Sequence, residues 1–592
     1  MAQGPGRPLS EPTDLALYAV AGGLGLVGVL WLGGATSALL VGQRVGRDDV
    51  FAGLAAFGHV DDPSRAWHVP VGPALLYWSV SGTALLSAAV LTIAIGRLLS
   101  VESRRKGDDP TAIVGLADRH QVKSVCGASS LLARAATLRP SLLRPIPTDI
   151  GFSLGSARGV ECWSSVEDSV IVLGPPRSGK GYNIVIPMLL DAPGAVITTA
   201  TRADNLSVTI TARAAHGPVG VFDPEGLAAG VPSALRWSPV RGCERPQTAM
   251  IRANALCAES AGGTESGSFW RQQTTMAVRC LLHAAALGDR APVDLYRWSL
   301  SPAAAREAVD ILVDAPRAAL AWDKALDAIV SADQRQRDSV WAMVANAFAA
   351  LADPGVLDAV SPGPGETFDP AEFLCRRGTL YLLGTASGAS ATAGLVAALV
   401  EDLVDVARRL AARSTGARLD PPLGLILDEA ANYPLPSLGA LMSEGGGTGI
   451  TTLAVLQSLA QARHRWGREQ AQGIWDSAIA KIVLGGGSNA DDLADIARLV
   501  GDRTEREFSQ TAQAGGGRSI STSNRERPIL DPSGIRAITP GHGLLLLRSA
   551  PPIMLTLRPW TARTDAPRLQ RDRTAVEGAI RNAAGQSWPG RA

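Results

Sequence analysis

The sequence predicts an α/β fold, in which a largely parallel sheet carries a phosphate-binding loop, an all-helical insertion interrupts the sheet, and two membrane-spanning helices come first. Three observations carry this prediction. Short apolar runs bounded by turn residues alternate with helical patterns after residue 100, one such run opens into the glycine-rich text GPPRSGKG, and two long stretches near the start contain no charge. At 592 residues the chain has room for roughly four structural units by the usual domain size. A lone small binding module is excluded.

The uncharged stretches run from Leu15 to Gln43 and from Val69 to Gly96. Each exceeds the roughly 20 residues that cross a bilayer, so helices are expected at 15–40 and 72–96. Gly22, Gly23, Gly25, Gly28, Gly33 and Gly34 suit close helix packing, and Trp31, Trp67, Tyr77 and Trp78 suit the interfaces. Arg97, Arg104, Arg105 and Lys106 follow the second stretch, whereas the connecting loop balances its charges. The positive-inside rule then places the loop outside and both the N-terminus and everything after Gly96 in the cytoplasm. A charged fraction of 19% against 46% hydrophobic residues agrees with membrane-buried segments.

Past the anchor, buried strands are expected at Ser169–Leu173, Ala195–Thr199, Val219–Phe222, Thr379–Leu383, Leu423–Leu427, Thr451–Leu456 and Lys481–Leu484. A helix is expected from Ser390 to Arg413, where Leu395, Leu399, Leu403 and Leu410 share one stripe. Between Gln247 and Val360 strand runs give way to Ala, Leu and Trp at helical spacing, the mark of an inserted helical domain. The expected division is therefore an anchor at 1–110, an α/β nucleotide-binding domain at 111–246 and 361–564, an all-α insertion at 247–360, and an unstructured polar tail at 565–592. The Gly, Ser and Thr-rich stretch from Ser509 to Asn524 reads as a mobile loop. Cys126, Cys162, Cys243, Cys257, Cys280 and Cys375 show no metal-ligand spacing and read as reduced, buried core residues in a cytosolic body.

The chemistry gathers at strand ends. Gly174, Pro175, Pro176, Arg177, Ser178, Gly179, Lys180 and Gly181 form a loop between a strand and a helix. Such a loop turns backbone N–H groups and a helix N-terminus toward phosphates, with Lys180 reaching the β and γ groups. Gly181 departs from the usual pattern, because a Ser or Thr hydroxyl that ligates Mg²⁺ normally stands there. Leu423–Leu427 ends in Asp428 and Glu429, a carboxylate for the metal and one for the attacking water of an ATPase. Gln457 ends the next strand, where it can sense the γ-phosphate. A net charge of +1 excludes a global field for nucleic acid, so any DNA contact must be local. Arg463, His464, Arg465, Trp466 and Arg468 form one basic cluster that could supply it, or simply a solvated helix end.

These texts in order (VEDSVIVLGPPRSGKG, VFDPEG, WSPVRGCERPQTAM, FWRQQ, LILDEAAN and LQSLAQ) resemble the type IV secretion coupling proteins, the TraG/TraD-like conjugative DNA-transfer ATPases, especially their actinobacterial members. The resemblance runs from Gly115 to Arg558 and includes the N-terminal spans. It implies a multi-pass cell-membrane ATPase with its body in the cytoplasm, a RecA-like nucleotide domain with an all-α insertion, ATP and Mg²⁺ as cofactors, and a homo-hexameric ring. It implies as partners a relaxase-bound single DNA strand, or a protein, and the components of a secretion channel. By the same resemblance Gly174, Gly179, Lys180 and Gly181 cradle the phosphates, Asp428 holds Mg²⁺, Glu429 polarises water and Gln457 matches the family glutamine. One branch of the family also carries Gly after the lysine. Two other readings stay open: a membrane docking adaptor whose nucleotide only orders the ring, and an FtsK-like DNA translocase.

Overall fold

The computed structural model describes residues 12–46, 49–107, 113–258, 265–366, 368–384, 389–512 and 518–587. Two compact units, Met1–Ala112 and Ile113–Ala592, divide the chain.

In the first unit the uncharged stretches form the helices Pro12–Leu40 and Ala74–Gly107, each with a segment long and apolar enough to cross a membrane. Only two of the six glycines of the first helix serve close packing. A Cβ on Gly33 would lie 2.8 Å from the Ser81 backbone, and one on Gly34 would fall inside the Trp67 ring. Gly22, Gly23, Gly25 and Gly28 have no such neighbour. Trp67 is buried and donates to the Tyr77 hydroxyl at 3.3 Å, so these rings pack within the hairpin.

The second unit is built on an eleven-stranded sheet. Its strands are β1 (Gly151–Ala157), β2 (Val160–Ser165), β3 (Val170–Leu173), β4 (Val196–Ala200), β5 (Val219–Phe222), β6 (Thr379–Leu383), β7 (Leu423–Leu427), β8 (Ile450–Leu456) and β9 (Ala480–Val483), with β12 (His542–Leu547) and β13 (Ile553–Thr556). β10 (Asp502–Ala512) and β11 (Arg518–Pro528) pair separately. The sheet order is β2-β1-β13-β12-β9-β3-β8-β7-β4-β6-β5. From β9 to β5 every neighbouring pair is parallel, whereas β12, β13, β1 and β2 extend the sheet antiparallel.

Both faces of the parallel part are covered, which is why its strands read as unbroken apolar runs. Ile171, Leu173, Leu425, Leu427 and Leu456 join the core on one face, while Val170, Val172, Ile426, Leu453 and Val455 join the core on the other. The first core continues into the helices that lie between β5 and β6, from Pro246–Leu256 through Glu265–Leu287 and Gln334–Phe348 to Pro354–Ala359. Trp298, Trp341 and Phe348 are buried there, and the Trp341 indole donates to the Trp298 carbonyl at 3.2 Å.

The structure corrects three expectations. The stretch from Ser509 to Asn524 is mostly strand: β10 and β11 pair antiparallel from Asp502↔Pro528 to Ala512↔Arg518, and only 513–517 lie outside the described residues. Its Ser and Thr residues lie along the two paired strands. The tail is not unstructured over 566–587, where the helix Ala566–Ser587 buries Leu569 against Ile186, Leu190, Val208 and Trp560. Its apolar residues lie three to seven apart, so a polar composition concealed one packed face. Residues 588–592 lie outside the described residues. Finally, Cys375 is exposed at the end of the helix Pro370–Cys375, while the other five cysteines are buried and unbridged.

Candidate nucleotide site

Four adjacent parallel strands, β3, β8, β7 and β4, end side by side. Their carboxyl ends carry, in that order, the loop 174–181, Gln457, Asp428 with Glu429, and the segment 201–205. The crevice beyond the carboxyl ends of such strands is where open α/β sheets bind ligands. A cavity of ≈ 480 Å³ lies here, walled by Pro176 to Tyr182, Thr201, Asn205, Asp428 and Glu429, with Trp560 and Arg573 from the C-terminal segment.

The loop takes its shape from local backbone demands. Arg177 and Gly179 adopt left-handed φ values of 63° and 86°. At 179 the left-handed φ favours glycine, and a Cβ there would also push on the Asn183 amide at 2.5 Å. A wide helical turn, Gly181–Val185, leads into the helix Ile186–Asp191, and the Asn183 N–H donates back to the Gly179 carbonyl at 2.9 Å. The Lys180 ammonium is buried at the centre of the loop and donates to the carbonyls of Gly174 at 2.6 Å and Pro175 at 2.9 Å. Burial lowers its pKa, while Asp428 and Glu429 act in the opposite direction.

Asp428 accepts from the Asn205 amide at 3.0 Å, and its backbone carbonyl accepts from the Thr199 hydroxyl at 2.8 Å. Burial raises the Asp428 pKa, Glu429 raises it further, and Asn205 and Lys180 oppose the rise. Glu429 sits in a left-handed turn with φ 51°, a conformation that costs a non-glycine residue about 1 kcal/mol. Three side chains hold it there: the Thr201 hydroxyl and the Asn432 amide each donate to Oε2 at 2.9 Å, and the Gln457 amide reaches Oε1 at 3.4 Å. Tyr433 braces the turn by donating to the Gly384 carbonyl at 2.7 Å.

Of the residues singled out in the sequence for nucleotide chemistry, 176–181, Asp428 and Glu429 line this cavity, while Gly174, Pro175 and Gln457 line an adjoining one, from which Gln457 reaches Glu429. Sequence reasoning missed Thr201, Asn205 and Asn432. The signal available for the first two was a polar segment at the end of β4. Asn432 lay within a quoted motif without a role.

The oxygens present suit a hard cation, but among the described residues no group of three or more His, Cys, Asp or Glu could hold a metal alone. Mg²⁺ fits such a site, since it commonly binds through one or two carboxylates together with phosphates and water.

The basic cluster lies apart from this cavity and is partly committed to structure. Arg463 pairs with Asp492 at 2.8 Å, and the Trp466 indole donates to the Leu435 carbonyl at 3.2 Å. Arg468 begins the next helix and is exposed.

Comparison with known proteins adds two matches in chain order. Residues 120–281, which contain the loop, match the family described as type IV secretory system conjugative DNA transfer. Residues 422–540, which contain Asp428, Glu429 and Gln457, match the family described as the TraM recognition site of TraD and TraG. Among curated proteins there is no match. Among solved structures, the conjugative coupling protein TrwBdeltaN70 in its unbound form superposes with a TM-score of 0.53 at 16% identity, covering 73% of this chain and 92% of its own. TrwB in complex with ADP and Mg²⁺ gives 0.51 at 16% identity, with 73% and 93% covered, and TrwB in complex with the GTP analogue GDPNP gives 0.52 at the same identity and coverage. The structural likeness establishes the fold, and the two family matches fall on its two motif-bearing segments. Two segments of the chain are thus similar to families of the type IV secretion coupling proteins, and the likeness to TrwB is one of fold.

Proposed function

We propose that this chain is a membrane-anchored ATPase that couples a relaxase-bound single DNA strand, or a protein, to a type IV secretion channel and drives its transfer by ATP hydrolysis. The observation that carries the proposal is the convergence of a phosphate-binding loop, two carboxylates and a glutamine on four adjacent strand ends. In this reading Gly174 to Gly181 wrap the phosphates, Lys180 neutralises them, Asp428 holds Mg²⁺, and Glu429 orients the attacking water under the hand of Gln457. Bound Mg²⁺ would supply charge neutralisation of the phosphates. The lean toward ATP and Mg²⁺ gains support from the nucleotide complexes of the structurally similar TrwB. The division into anchor, α/β body and helical insertion belongs to the same reading, as does a homo-hexameric ring, which would let a neighbour complete each nucleotide site.

The test is ATP turnover by the detergent-solubilised full chain. Single-stranded DNA should stimulate it, and Lys180→Ala should abolish basal and stimulated turnover alike. Binding of ATP without turnover, with or without DNA, would favour the docking adaptor. Stimulation by double-stranded DNA alone would favour a duplex translocase.

The anchor supplies a second test. Two spans with a cytoplasmic body follow from the two apolar helices and the basic cluster behind the second. In intact protoplasts an impermeant thiol reagent should label Asp61→Cys and spare Asp108→Cys; position 108 lies outside the described residues. The reverse pattern would invert the topology.

A further inference from the structure

Gly181 leaves the loop without the hydroxyl that P-loop proteins offer to the nucleotide's metal. The structure points to what stands in its place. Asn205, in the first turn of the helix Asp204–Ala214, is only 4% exposed, and it lines the nucleotide cavity. Its amide nitrogen donates to Asp428 Oδ2 at 3.0 Å. An ionised carboxylate only accepts, so this bond fixes which end of the amide faces Asp428 and turns Oδ1 the other way. Oδ1 then points at residue 181, and a Cβ built on Gly181 would meet it at 3.4 Å. Among the described residues no donor reaches Oδ1. Oδ1 is not one of the fully buried polar atoms left without a partner, so it is open to the cavity, where a cation can reach it.

We propose that Asn205 offers its side-chain oxygen as the neutral ligand that residue 181 lacks, so that Asp428 and Asn205 together present the protein's oxygens to nucleotide-bound Mg²⁺. The inference rests on the nucleotide reading above. The reason it works sterically is the substitution itself: with no side chain at 181, the amide of a neighbouring strand's helix can occupy the space from which a hydroxyl would otherwise act. A carbonyl-type oxygen is an appropriate hard ligand, and it adds no charge beside Glu429.

The experiment measures affinity of the full chain for ADP by calorimetry, first in EDTA and then with Mg²⁺, together with Mn²⁺ binding in the presence of ADP by electron paramagnetic resonance. In Asn205→Ala the gain in ADP affinity from Mg²⁺, taken relative to the same variant's affinity in EDTA, and the affinity for Mn²⁺ should fall about tenfold or more. Adding Gly181→Ser to that variant should restore both, because the position has room for the side chain and its φ is not left-handed. Two outcomes overturn the proposal. An unchanged Mg²⁺ gain in Asn205→Ala would show that Oδ1 is not a ligand, and a loss that Gly181→Ser fails to restore would reduce Asn205 to a support for Asp428. Absence of ADP binding to the unaltered chain in EDTA and Mg²⁺ alike would instead remove the nucleotide reading, and this inference with it.

Discussion

Replacing Glu429 with Gln should leave ATP bound and slow its turnover about a hundredfold or more, the usual contribution of a positioned acid or base. The size follows from how the side chain is held. Glu429 is forced into a left-handed turn at the end of β7, and its oxygens accept from Thr201, Asn432 and Gln457. Three converging donors keep the carboxylate in one orientation toward the cavity. The variant Glu429→Gln keeps that size and much of that network, but it gives up the charge that would orient and polarise water. Single-turnover kinetics with a separate measurement of nucleotide affinity checks this. Equal loss of binding and turnover would mean that Glu429 shapes the pocket instead of acting on the nucleophile.

The largest stability effect is expected from Arg252. It lies on the helix Pro246–Leu256, is 3% exposed, and pairs at 2.9 Å with Asp402, itself 6% exposed, on the helix Ala389–Ala412. Its guanidinium also donates to the Pro239 carbonyl at 2.8 Å and stacks 5.1 Å from the Trp237 ring centre. Arg252→Ala strands a carboxylate in the interior between the helical insertion and the sheet body, and should destabilise by about 3 to 5 kcal/mol. The paired change Arg252→Met with Asp402→Leu removes both charges and should cost much less. Urea unfolding followed by tryptophan fluorescence reads the difference. If the single and paired variants unfold at the same midpoint, the stranded charge is not the cause.

What could be read from the sequence divides along physical lines. The parallel strands are buried on both faces, so β3, β4, β5, β6, β7, β8 and β9 declared themselves as apolar runs, and their ends named Lys180, Asp428, Glu429 and Gln457. β1 and β2 did not, because runs such as GFSLGSA mix small and polar residues at an antiparallel edge. Composition misled at the hairpin β10–β11 and at the C-terminal helix, where pairing and one packed stripe outweigh polarity. Thr201 and Asn205 were passed over for another reason, although a polar segment ends β4. They join the site only because β4 lies beside β7, a neighbour relation fixed by sheet order and not by distance along the chain. Arg463 reads as a free basic group in sequence, but Asp492, on the helix Ala490–Val500, takes it up.

The central claim is that hydrolysis at this site drives transfer. It is tested most directly by counting DNA transfer from donor cells whose own copy of this chain is deleted and replaced by either the unaltered chain or Glu429→Gln, at matched membrane levels. Transfer restored by the first and lost with the second is the result predicted here. Transfer that persists with Glu429→Gln, in protein verified to bind ATP without turning it over, would contradict the motor and leave a nucleotide-ordered docking ring.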